Sequence, residues 1–164
     1  LSGSASNTVN APFTMGGWFN IAANTGNMMC YMGASGTSAT GAGLSLVYQP
    51  NGAYANSIQF IAYDGATNQV PTSVSSTRVV AGQWYNIVVT HDNTNIRLYV
   101  NANLEFTKAS TGFTPWTSTP FQIGLNRIYW PFLGLVSNAF IYNRVLSDDE
   151  IKQNFISLRG RYGI

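Results

Sequence analysis

The chain has 164 residues and a formal net charge of +2, and only 9% of its side chains are charged, against about a quarter in typical globular domains. This length suits one domain, so we expect residues 1–164 to form a single domain that is a fragment of a longer protein. The small charge argues against a nucleic-acid partner, the single cysteine excludes an internal disulfide, and no apolar run approaches the roughly 18 residues of a membrane-spanning helix.

Alternating apolar and polar residues first appear in FTMGGWFNI, where Phe13, Met15, Gly17 and Phe19 share one face of a predicted strand. Val, Ile, Phe and Tyr dominate the later segments with a similar pattern, as strand propensity favours. Those segments are MMCYMGA, GLSLVYQ, SIQFIAYDG, STRVV, QWYNIVVTH, NIRLYVNA, LEFTKAS, FQIGLN and GLVSNAFIYN. Together they predict about ten short strands.

Short polar connections join these segments. HDNTN lies between QWYNIVVT and IRLYV, and NAN turns IRLYV back into LEFTK. Asn tolerates the positive φ that tight hairpin turns require. Many short antiparallel strands at this spacing predict an all-β sandwich or barrel.

One segment near the end has helical periodicity, and it begins with three consecutive acidic residues. Ser147 and Glu150 have the S-x-x-E spacing of a capping box, in which each side chain accepts a hydrogen bond from the backbone N–H of the other residue. Asp148 and Asp149 fall in the first turn, where negative charge offsets the helix dipole. We therefore interpret the acidic cluster as a helix cap and not as a catalytic or metal-binding group.

This predicted helix has one apolar stripe. Ile151, Phe155 and Leu158 recur at i, i+4 and i+7. Leu146 precedes the cap at the spacing of a hydrophobic staple with Ile151. Gly160 is the predicted C-terminal cap. The sequence thus predicts one short C-terminal helix that packs through its apolar stripe.

The ordered run of motifs resembles a known family. PFTMGGWFN, GQWYNIVVTHDNTNIRLYVNANLEF, FQIGLN and FLGLVSNAFIYNRVLSDDEIKQNF are similar to motifs of laminin-G-like, concanavalin A-like jelly-roll domains, over residues 13–155. The resemblance implies an antiparallel two-sheet jelly-roll sandwich that binds glycans or proteins at loops along one rim or at a concave face. The ending NFISLRGRYGI resembles the C-termini of such domains on large bacteriophage or viral structural proteins.

Two of the chain's departures from the family pattern concern a turn and metal binding. Family members usually carry Asp-Gly or Asn-Gly after LYV, whereas this chain has Asn101 and Ala102, so we expect a longer or wider turn. Calcium-binding members use acidic residues at a loop rim, but outside the helix this chain has only Asp64, Asp92 and Glu105, on different loops or strands. We expect no metal or other cofactor, although Asn and carbonyl oxygens leave calcium binding open.

The acidic residues also argue against hydrolysis of glycans. Related jelly rolls with that activity carry E-x-D-x-E on a strand, which places alternate acids on one face, and this pattern does not occur in the sequence. Asp64 and Asp92 are at predicted turn positions, and Glu105 is expected to face solvent because apolar residues flank it. His91 lies beside Asp92, but no nucleophile can be identified for a Ser-His-Asp arrangement. We predict that the domain is not an enzyme.

The candidate ligand-binding residues lie on either side of FQIGLN. LNRIYWPFLG places bulky residues in a connection between two strands, and GFTPWTSTPF places a tryptophan in a Pro-bounded loop one strand earlier. Sugar recognition uses aromatic faces with amide and hydroxyl groups, because a sugar ring has an apolar side and a polar rim. The two loops flank one strand at opposite ends, so they need not meet in one site. The candidates are Trp130, Tyr129, Phe132, Asn126, Arg127 and Trp116.

Packing is the alternative role for these aromatic residues. For Trp130 the sequence leaves ligand or interface contact and core packing equally open, and for Trp116 it slightly favours packing. Trp18 and Trp84 lie in strands that match core positions of the family, and we interpret both as structural.

The expected function is a non-catalytic carbohydrate-binding or adhesion module displayed on a virion surface, as part of a phage or viral structural protein. Two alternatives stay open: a virion decoration or assembly domain without sugar binding, and a secreted bacterial adhesin domain. The expected partners are surface glycans or neighbouring structural subunits, further copies of the chain included, with no nucleic acid and no membrane span. The scarcity of charge and the abundance of Asn, Ser and Thr suit this extracellular location.

Overall fold

The computed structural model describes residues 2–9, 12–22, 27–28, 30–32, 45–49, 55–61, 74–109, 116–123, 125–126 and 130–164. Side chains are described for residues 12–22, 55–60, 74–109, 123 and 132–164, and only the strand backbone for the others. The strands are β1 (Ser2–Val9), β2 (Phe13–Ile21), β3 (Asn27–Met28), β4 (Cys30–Met32), β5 (Ser45–Gln49), β6 (Ser57–Ile61), β7 (Val74–Arg78), β8 (Trp84–His91), β9 (Asn95–Val100), β10 (Asn103–Ala109), β11 (Trp116–Ile123), β12 (Leu125–Asn126), β13 (Trp130–Pro131) and β14 (Gly134–Tyr142). The helix is α1 (Asp148–Arg159), and a 3-10 turn (Gly160–Tyr162) follows it.

The strands pair in an antiparallel manner throughout the described residues. The main sheet has the order β10-β9-β8-β2-β14, and the facing sheet has the order β3-β5-β6-β7. A third sheet consists of β1, β11 and β4, and β12 pairs with β13 as a separate hairpin. The predicted all-β jelly-roll sandwich with one short C-terminal helix is confirmed.

The inner face of the main sheet supplies most of the core. Phe13, Met15, Phe19 and Ile21 alternate along β2 and are fully buried, as the strand pattern predicted. They pack with residues of β8, β9 and the facing strand β6. The buried members of this cluster are Phe13, Met15, Phe19, Ile21, Ile58, Phe60, Val79, Tyr85, Ile87, Val89, Ile96, Leu98 and Val100. Each fully buried large apolar side chain contributes about 1.5–3 kcal/mol, so this cluster holds the two sheets face to face.

The helix α1 packs on the outer face of the main sheet. Leu146 and Ile151 are buried together with residues of β8 and β9, which confirms the predicted staple pair as part of one apolar cluster. Phe155 stacks on Trp18 of β2, with ring centroids 5.7 Å apart and an interplanar angle of 13°. The predicted apolar stripe therefore covers the side of β2 that faces away from the core.

The acidic cluster caps this helix, as interpreted from the sequence. The Ser147 hydroxyl accepts from the Glu150 N–H at 3.3 Å, and the Glu150 carboxylate accepts from the Ser147 N–H at 2.8 Å. Arg144 donates to both oxygens of Glu150, and this contact, with the backbone hydrogen bond, lowers the pKa of Glu150 to about 2. Asp148 accepts a 2.7 Å hydrogen bond from the Tyr99 hydroxyl, which fixes the first turn to β9.

Gly160 is the C-cap of α1, as predicted. That residue keeps right-handed geometry, with φ −62°, and the chain continues into the 3-10 turn. The left-handed residue is Gly163, with φ +76°, and the Ile164 N–H bonds to the Arg159 carbonyl at 3.2 Å. Both glycines lack the Cβ that disfavours positive φ, so the sequence alone could not decide between them.

The β9–β10 connection is a two-residue turn, so the expectation of a longer or wider turn was wrong. Val100 pairs with Asn103 across it, and Asn101 and Ala102 both have positive φ, at 51° and 63°. Two positive φ values in succession define the type I′ turn of tight hairpins. Asn101 also accepts from the Asn86 N–H at 2.9 Å and donates its own N–H to the Asn86 carbonyl at 2.8 Å. These bonds hold Ala102 at a position that glycine normally occupies.

The N-terminal region of the fold differs most from the strand pattern. The sequence analysis did not predict β1, whose residues SGSASNTV are mostly small and polar, yet this strand pairs with β11. MMCYMGA was predicted as one strand, whereas β3 joins the facing sheet and β4 joins the third sheet. Hydrogen-bonded pairing can recruit a segment without an apolar pattern, so periodicity alone does not identify such strands.

Candidate functional site

The predicted ligand-binding segment contains two paired strands, β12 (residues 125–126) and β13 (residues 130–131), which are called the β12–β13 hairpin. Leu125 pairs with Pro131, and Asn126 pairs with Trp130. The hairpin lies against β3 and β4, where the facing sheet and the third sheet meet. The structure therefore places Asn126 and Trp130 opposite each other on adjacent strands.

Two further candidates fall in the connection of this hairpin. Arg127 and Tyr129 lie between the paired Asn126 and Trp130 in the sequence, and both are outside the described residues. The side chains of Asn126 and Trp130 are also outside the described part of the structure. The assignment of these residues to a ligand site thus stays a prediction, supported by their positions along the chain.

Phe132 connects the hairpin to the core. Its ring is half-buried and meets the ring of Phe19 edge-on, with centroids 6.1 Å apart and an interplanar angle of 84°. The next residue, Leu133, accepts a 2.9 Å backbone hydrogen bond from Ala22, just beyond the end of β2. The structure places Phe132 as an anchor that fixes the hairpin to the end of the main sheet.

Trp116 lies away from the β12–β13 hairpin. It is the first residue of β11 and pairs with Val9, so its predicted position in a loop was wrong. The strand has 8 residues, and at about 3.3 Å per residue its ends are roughly 23 Å apart. Because the hairpin begins just beyond the other end of β11, Trp116 and Trp130 cannot contribute to one small site.

A row of side chains crosses the outer face of the main sheet near the hairpin. Leu135 pairs with Asn20, and Asn20 pairs with Trp84, so the three residues lie side by side on β14, β2 and β8. Leu135 is 61% exposed, Trp84 is partly exposed, and the Asn20 amide donates to the Gly82 carbonyl at 2.8 Å. Asn20 was not among the predicted site residues, although the alternation of β2 places it opposite the apolar face.

The two tryptophans predicted to be structural have different surroundings. Trp18 is 1% exposed and stacks on both Phe155 and Tyr162, so its indole is packed in this structure, as predicted. Trp84 keeps part of its surface exposed and meets only the Tyr162 ring among the described aromatic contacts, at 4.8 Å and 50°. Trp84 is therefore the more accessible of the two indoles.

Asp92 has a structural role in the β8–β9 turn, as its turn position predicted. Its carboxylate accepts hydrogen bonds from the Thr94 N–H and hydroxyl, the Asn95 N–H and the Arg97 guanidinium, at 3.0, 2.7, 2.7 and 2.6 Å. Burial alone would raise the pKa of Asp92, but these donors outweigh it and hold the pKa well below its usual range. The carboxylate is fully engaged in closing the turn.

The prediction that Glu105 faces solvent was wrong. The β9–β10 pairing shifts between Leu104 and Phe106, so Glu105 is the extra residue of a β-bulge. Its carboxylate accepts hydrogen bonds from the backbone N–H and hydroxyl groups of both Ser76 and Thr77. Desolvation opposes ionisation, but these donors prevail and lower the pKa of Glu105. The side chain thus joins edge strand β10 of the main sheet to edge strand β7 of the facing sheet.

His91 is buried, and its ring stacks on Phe13 with centroids 5.5 Å apart. Asp64, the remaining acidic residue outside the helix, lies outside the described residues. Within the part of the chain that the structure describes, no three His, Cys, Asp or Glu side chains come together as a set that could hold a metal ion. No helix among these residues is long and apolar enough to cross a membrane.

Solved structures with a similar fold include an arabinanase domain, a pentraxin and a sialidase. Domain 4 of AbnA, an extracellular GH43 arabinanase from Geobacillus stearothermophilus solved with arabinotriose, has a TM-score of 0.66 and 18% identity, over 93% of this chain and 68% of that chain. A heptameric SAP-like pentraxin from Limulus polyphemus has a TM-score of 0.64 and 11% identity, over 86% and 68%. Trypanosoma rangeli sialidase has a TM-score of 0.66 and 22% identity, over 90% of this chain but 23% of the sialidase.

These structural similarities establish the fold. No match was found among curated protein sequences. The family model described as the concanavalin A-like lectin/glucanases superfamily matches residues 1–152. The chain therefore belongs to the laminin G-like group of this superfamily.

Proposed function

We propose that this domain is a non-catalytic carbohydrate-binding module and that the β12–β13 hairpin carries its glycan site. The observation that carries the proposal is the pairing of Asn126 with Trp130. An indole offers a flat apolar surface to a sugar ring, and an amide offers a donor and an acceptor to its hydroxyl groups. Phe132, packed against Phe19, holds the hairpin in a fixed position at the end of the main sheet.

The carboxylates support binding without hydrolysis. Glycoside hydrolysis needs two carboxyl groups on either side of the scissile bond, roughly 5–10 Å apart. Asp92, Glu105, Asp148 and Glu150 each accept hydrogen bonds from the fold itself, at a turn, between two sheets and at a helix cap. Carboxylates that are engaged in this way are poor candidates for a general acid and a nucleophile facing each other across a cleft.

The solved relatives support sugar as the ligand class. Domain 4 of AbnA shares the fold over 93% of this chain and was solved with arabinotriose. Fold similarity at 18% identity does not transfer a site. We therefore take from it the ligand class to test, with the residues argued from this chain alone.

The proposed location is the surface of a virion, where the domain attaches the particle to a glycan. The support is the resemblance of the ending NFISLRGRYGI to the C-termini of phage and viral structural domains, together with the low content of charged residues. We propose that binding requires no cofactor, calcium included. Glycan binding that is unchanged by a chelator is the expected result.

A second candidate function, particle assembly, is favoured by one specific observation. Leu133 and Leu135 follow the hairpin directly and are 44% and 61% exposed. Exposed apolar side chains beside one another are typical of protein contact surfaces. If a neighbouring subunit covers this end of the main sheet, the hairpin would be an assembly contact and not a glycan site.

A glycan array tests the proposal. The chain is screened with calcium and with a chelator, beside Trp130→Ala and the matched control Trp116→Ala, which changes a tryptophan at the other end of β11. We expect specific glycan binding that falls at least tenfold in Trp130→Ala and is unchanged in Trp116→Ala, while both variants keep the wild-type circular dichroism spectrum. Equal losses in the two variants would remove the hairpin as the site.

Sedimentation velocity distinguishes the assembly function from glycan binding. Folded protein that binds no glycan on the array, but forms oligomers that Leu135→Ser disrupts, would support an assembly contact in place of the glycan site. A monomer with glycan binding unaffected by Leu135→Ser would exclude it.

A further inference from the structure

Two tryptophans on adjacent strands form an aromatic surface that the chain itself covers. Trp18 of β2 and Trp84 of β8 both lie on the outer face of the main sheet, as diagonal neighbours two register positions apart. The Tyr162 ring stacks on Trp18 with centroids 4.1 Å apart and an interplanar angle of 18°. The same ring meets Trp84 at 4.8 Å and 50°. Tyr162 thus occupies a cleft with two indole walls.

The hydroxyl group of Tyr162 has polar partners at the edge of this cleft. It donates to the Ser137 hydroxyl and accepts from the Asn138 amide, both at 2.8 Å. A flat ring on indole faces with its hydroxyl held by a hydroxyl and an amide makes the contacts that a pyranose ring makes in a sugar site. Tyr162 therefore occupies a place whose indole faces and hydrogen-bonding groups suit a saccharide unit.

Tyr162 is the residue through which its segment stacks on the sheet. Among residues 160–164, Tyr162 is partly buried and the other four are exposed. Gly163 takes a left-handed conformation, and the Ile164 N–H bonds to the carbonyl of Arg159, the last residue of α1. Residues 153–164 lie beyond the region that the family model matches, which ends at residue 152.

We propose that Trp18, Trp84, Ser137 and Asn138 form a second saccharide site, which Tyr162 closes as an internal substitute for the sugar. The inference rests on the proposed function in its ligand class, but it concerns a different face from the β12–β13 hairpin. The walls of the cleft are uncharged, so the site selects a neutral saccharide over a sialylated or sulfated one. Binding requires the segment 160–164 to leave the cleft.

Because the closed state does not bind the sugar, the apparent affinity is the intrinsic affinity multiplied by the fraction of molecules in which the cleft is open. Deletion of residues 160–164 removes the competitor, and we expect binding of a neutral oligosaccharide to tighten at least tenfold. Tyr162→Phe keeps the ring but loses the hydrogen bonds to Ser137 and Asn138. Its expected gain is smaller, about fivefold, as two partly exposed hydrogen bonds would give.

The test compares the full chain, the deletion of 160–164, Tyr162→Phe, and the deletion combined with Trp84→Ala. Each is screened on an array of neutral and acidic oligosaccharides that includes cellotriose, maltotriose and arabinotriose, and gained hits are measured by calorimetry. We expect neutral hits that strengthen in the order full chain, Tyr162→Phe, deletion, and that disappear with Trp84→Ala. A folded deletion variant with no gain, or with a gain for acidic glycans alone, overturns the proposal.

Two controls cover a deletion variant that does not fold and distinguish the second site from the hairpin. If the deletion variant fails to fold by near-UV circular dichroism, Tyr162→Phe decides, and an affinity equal to that of the full chain overturns the proposal. Trp130→Ala in the deletion background separates the two sites, because it removes hairpin binding and leaves the gained binding intact. Loss of the gained binding in that variant would place it at the hairpin and overturn the second site.

Discussion

The two faces of the main sheet are covered in different ways. The inner face packs Phe13, Met15 and Phe19 against the facing sheet, with buried apolar side chains throughout. The outer face is covered by α1, a local element that follows the last strand, and its contacts mix apolar packing with hydrogen bonds. The Tyr99 hydroxyl, for example, is buried in the outer-face cluster and donates to Asp148 at 2.7 Å.

Hydrogen bonds position the cover on the outer face. The Thr14 hydroxyl donates to the Arg144 carbonyl and accepts from the Leu146 N–H, both at 2.8 Å. Burial and the neighbouring carboxylate of Asp148 raise the pKa of Tyr99, which therefore stays a hydrogen-bond donor across the ordinary pH range. The inner face thus gives the sandwich its stability, and the outer face defines where one short helix and its following segment lie.

The largest expected effect comes from the inner face. Phe19→Ala removes a fully buried ring from the centre of the core and should lower the free energy of unfolding by about 3–5 kcal/mol. Urea unfolding followed by fluorescence and by circular dichroism should show one shared, shifted transition. Because Phe132 packs on Phe19, glycan binding at the hairpin should weaken too. A loss below about 1 kcal/mol would contradict the assigned core.

An outer-face substitution should have a smaller effect. Ile151→Ala leaves a cavity between α1 and the main sheet, where Ile151 is 1% exposed, and should lower the free energy of unfolding by about 2–4 kcal/mol. Ile156, on the same helix and 55% exposed, provides the matched control, since Ile156→Ala should change stability by less than about 0.5 kcal/mol. Similar losses in both variants, measured by urea unfolding, would mean that α1 does not pack through the predicted stripe.

The contribution of Glu105, which joins the edges of the two sheets, to the free energy of unfolding should depend on pH. Glu105→Gln places an amide N–H₂ among donors of Ser76 and Thr77 and should lower the free energy of unfolding by about 1–2 kcal/mol at neutral pH. Because the folded pKa of Glu105 is lowered from 4.5, its contribution is present above pH 4.5 and is lost as pH falls through the folded pKa. The difference between wild type and variant should therefore shrink in acid, as measured by urea unfolding at neutral pH and near pH 3.

Asp149→Asn provides the control for this experiment, since Asp149 is an exposed carboxylate in the first turn of α1. Its effect should stay within a few tenths of a kcal/mol. A Glu105→Gln difference that is constant with pH would show that the carboxylate charge is not what joins β10 to β7.

The features that the sequence predicted well depend on neighbours close along the chain. The capping box of Ser147 and Glu150 needs residues three positions apart, and the alternation of Phe13, Met15 and Phe19 needs one strand. Glu105 was mispredicted because a bulge breaks the alternation, and its partners lie 28 and 29 residues away. Local spacing carries no information about such a partner.

The candidate site was predictable to the same limited extent. The composition of LNRIYWPFLG identified a segment, but the pairing of Asn126 with Trp130 and the anchoring of Phe132 on Phe19 follow from the fold. The position of Trp116 at the start of β11 depends on its pairing with β1, a strand that has no apolar pattern. The cover over Trp84 needs the helix to be docked on the sheet before Tyr162 can be placed.

The smallest predicted effect is a gain in stability at the edge of the outer-face cluster. Ala102 has φ +63° in the type I′ turn, a conformation that costs a residue with a Cβ roughly 1–2 kcal/mol. Ala102→Gly relieves this strain, but it removes a methyl group that packs against the outer-face cluster, worth up to about 0.8 kcal/mol, and adds freedom to the unfolded chain. The net expectation is a gain of about 0.5 kcal/mol in urea unfolding. A loss of stability would show that the methyl contact, together with the added freedom of the unfolded chain, outweighs the backbone strain at Ala102.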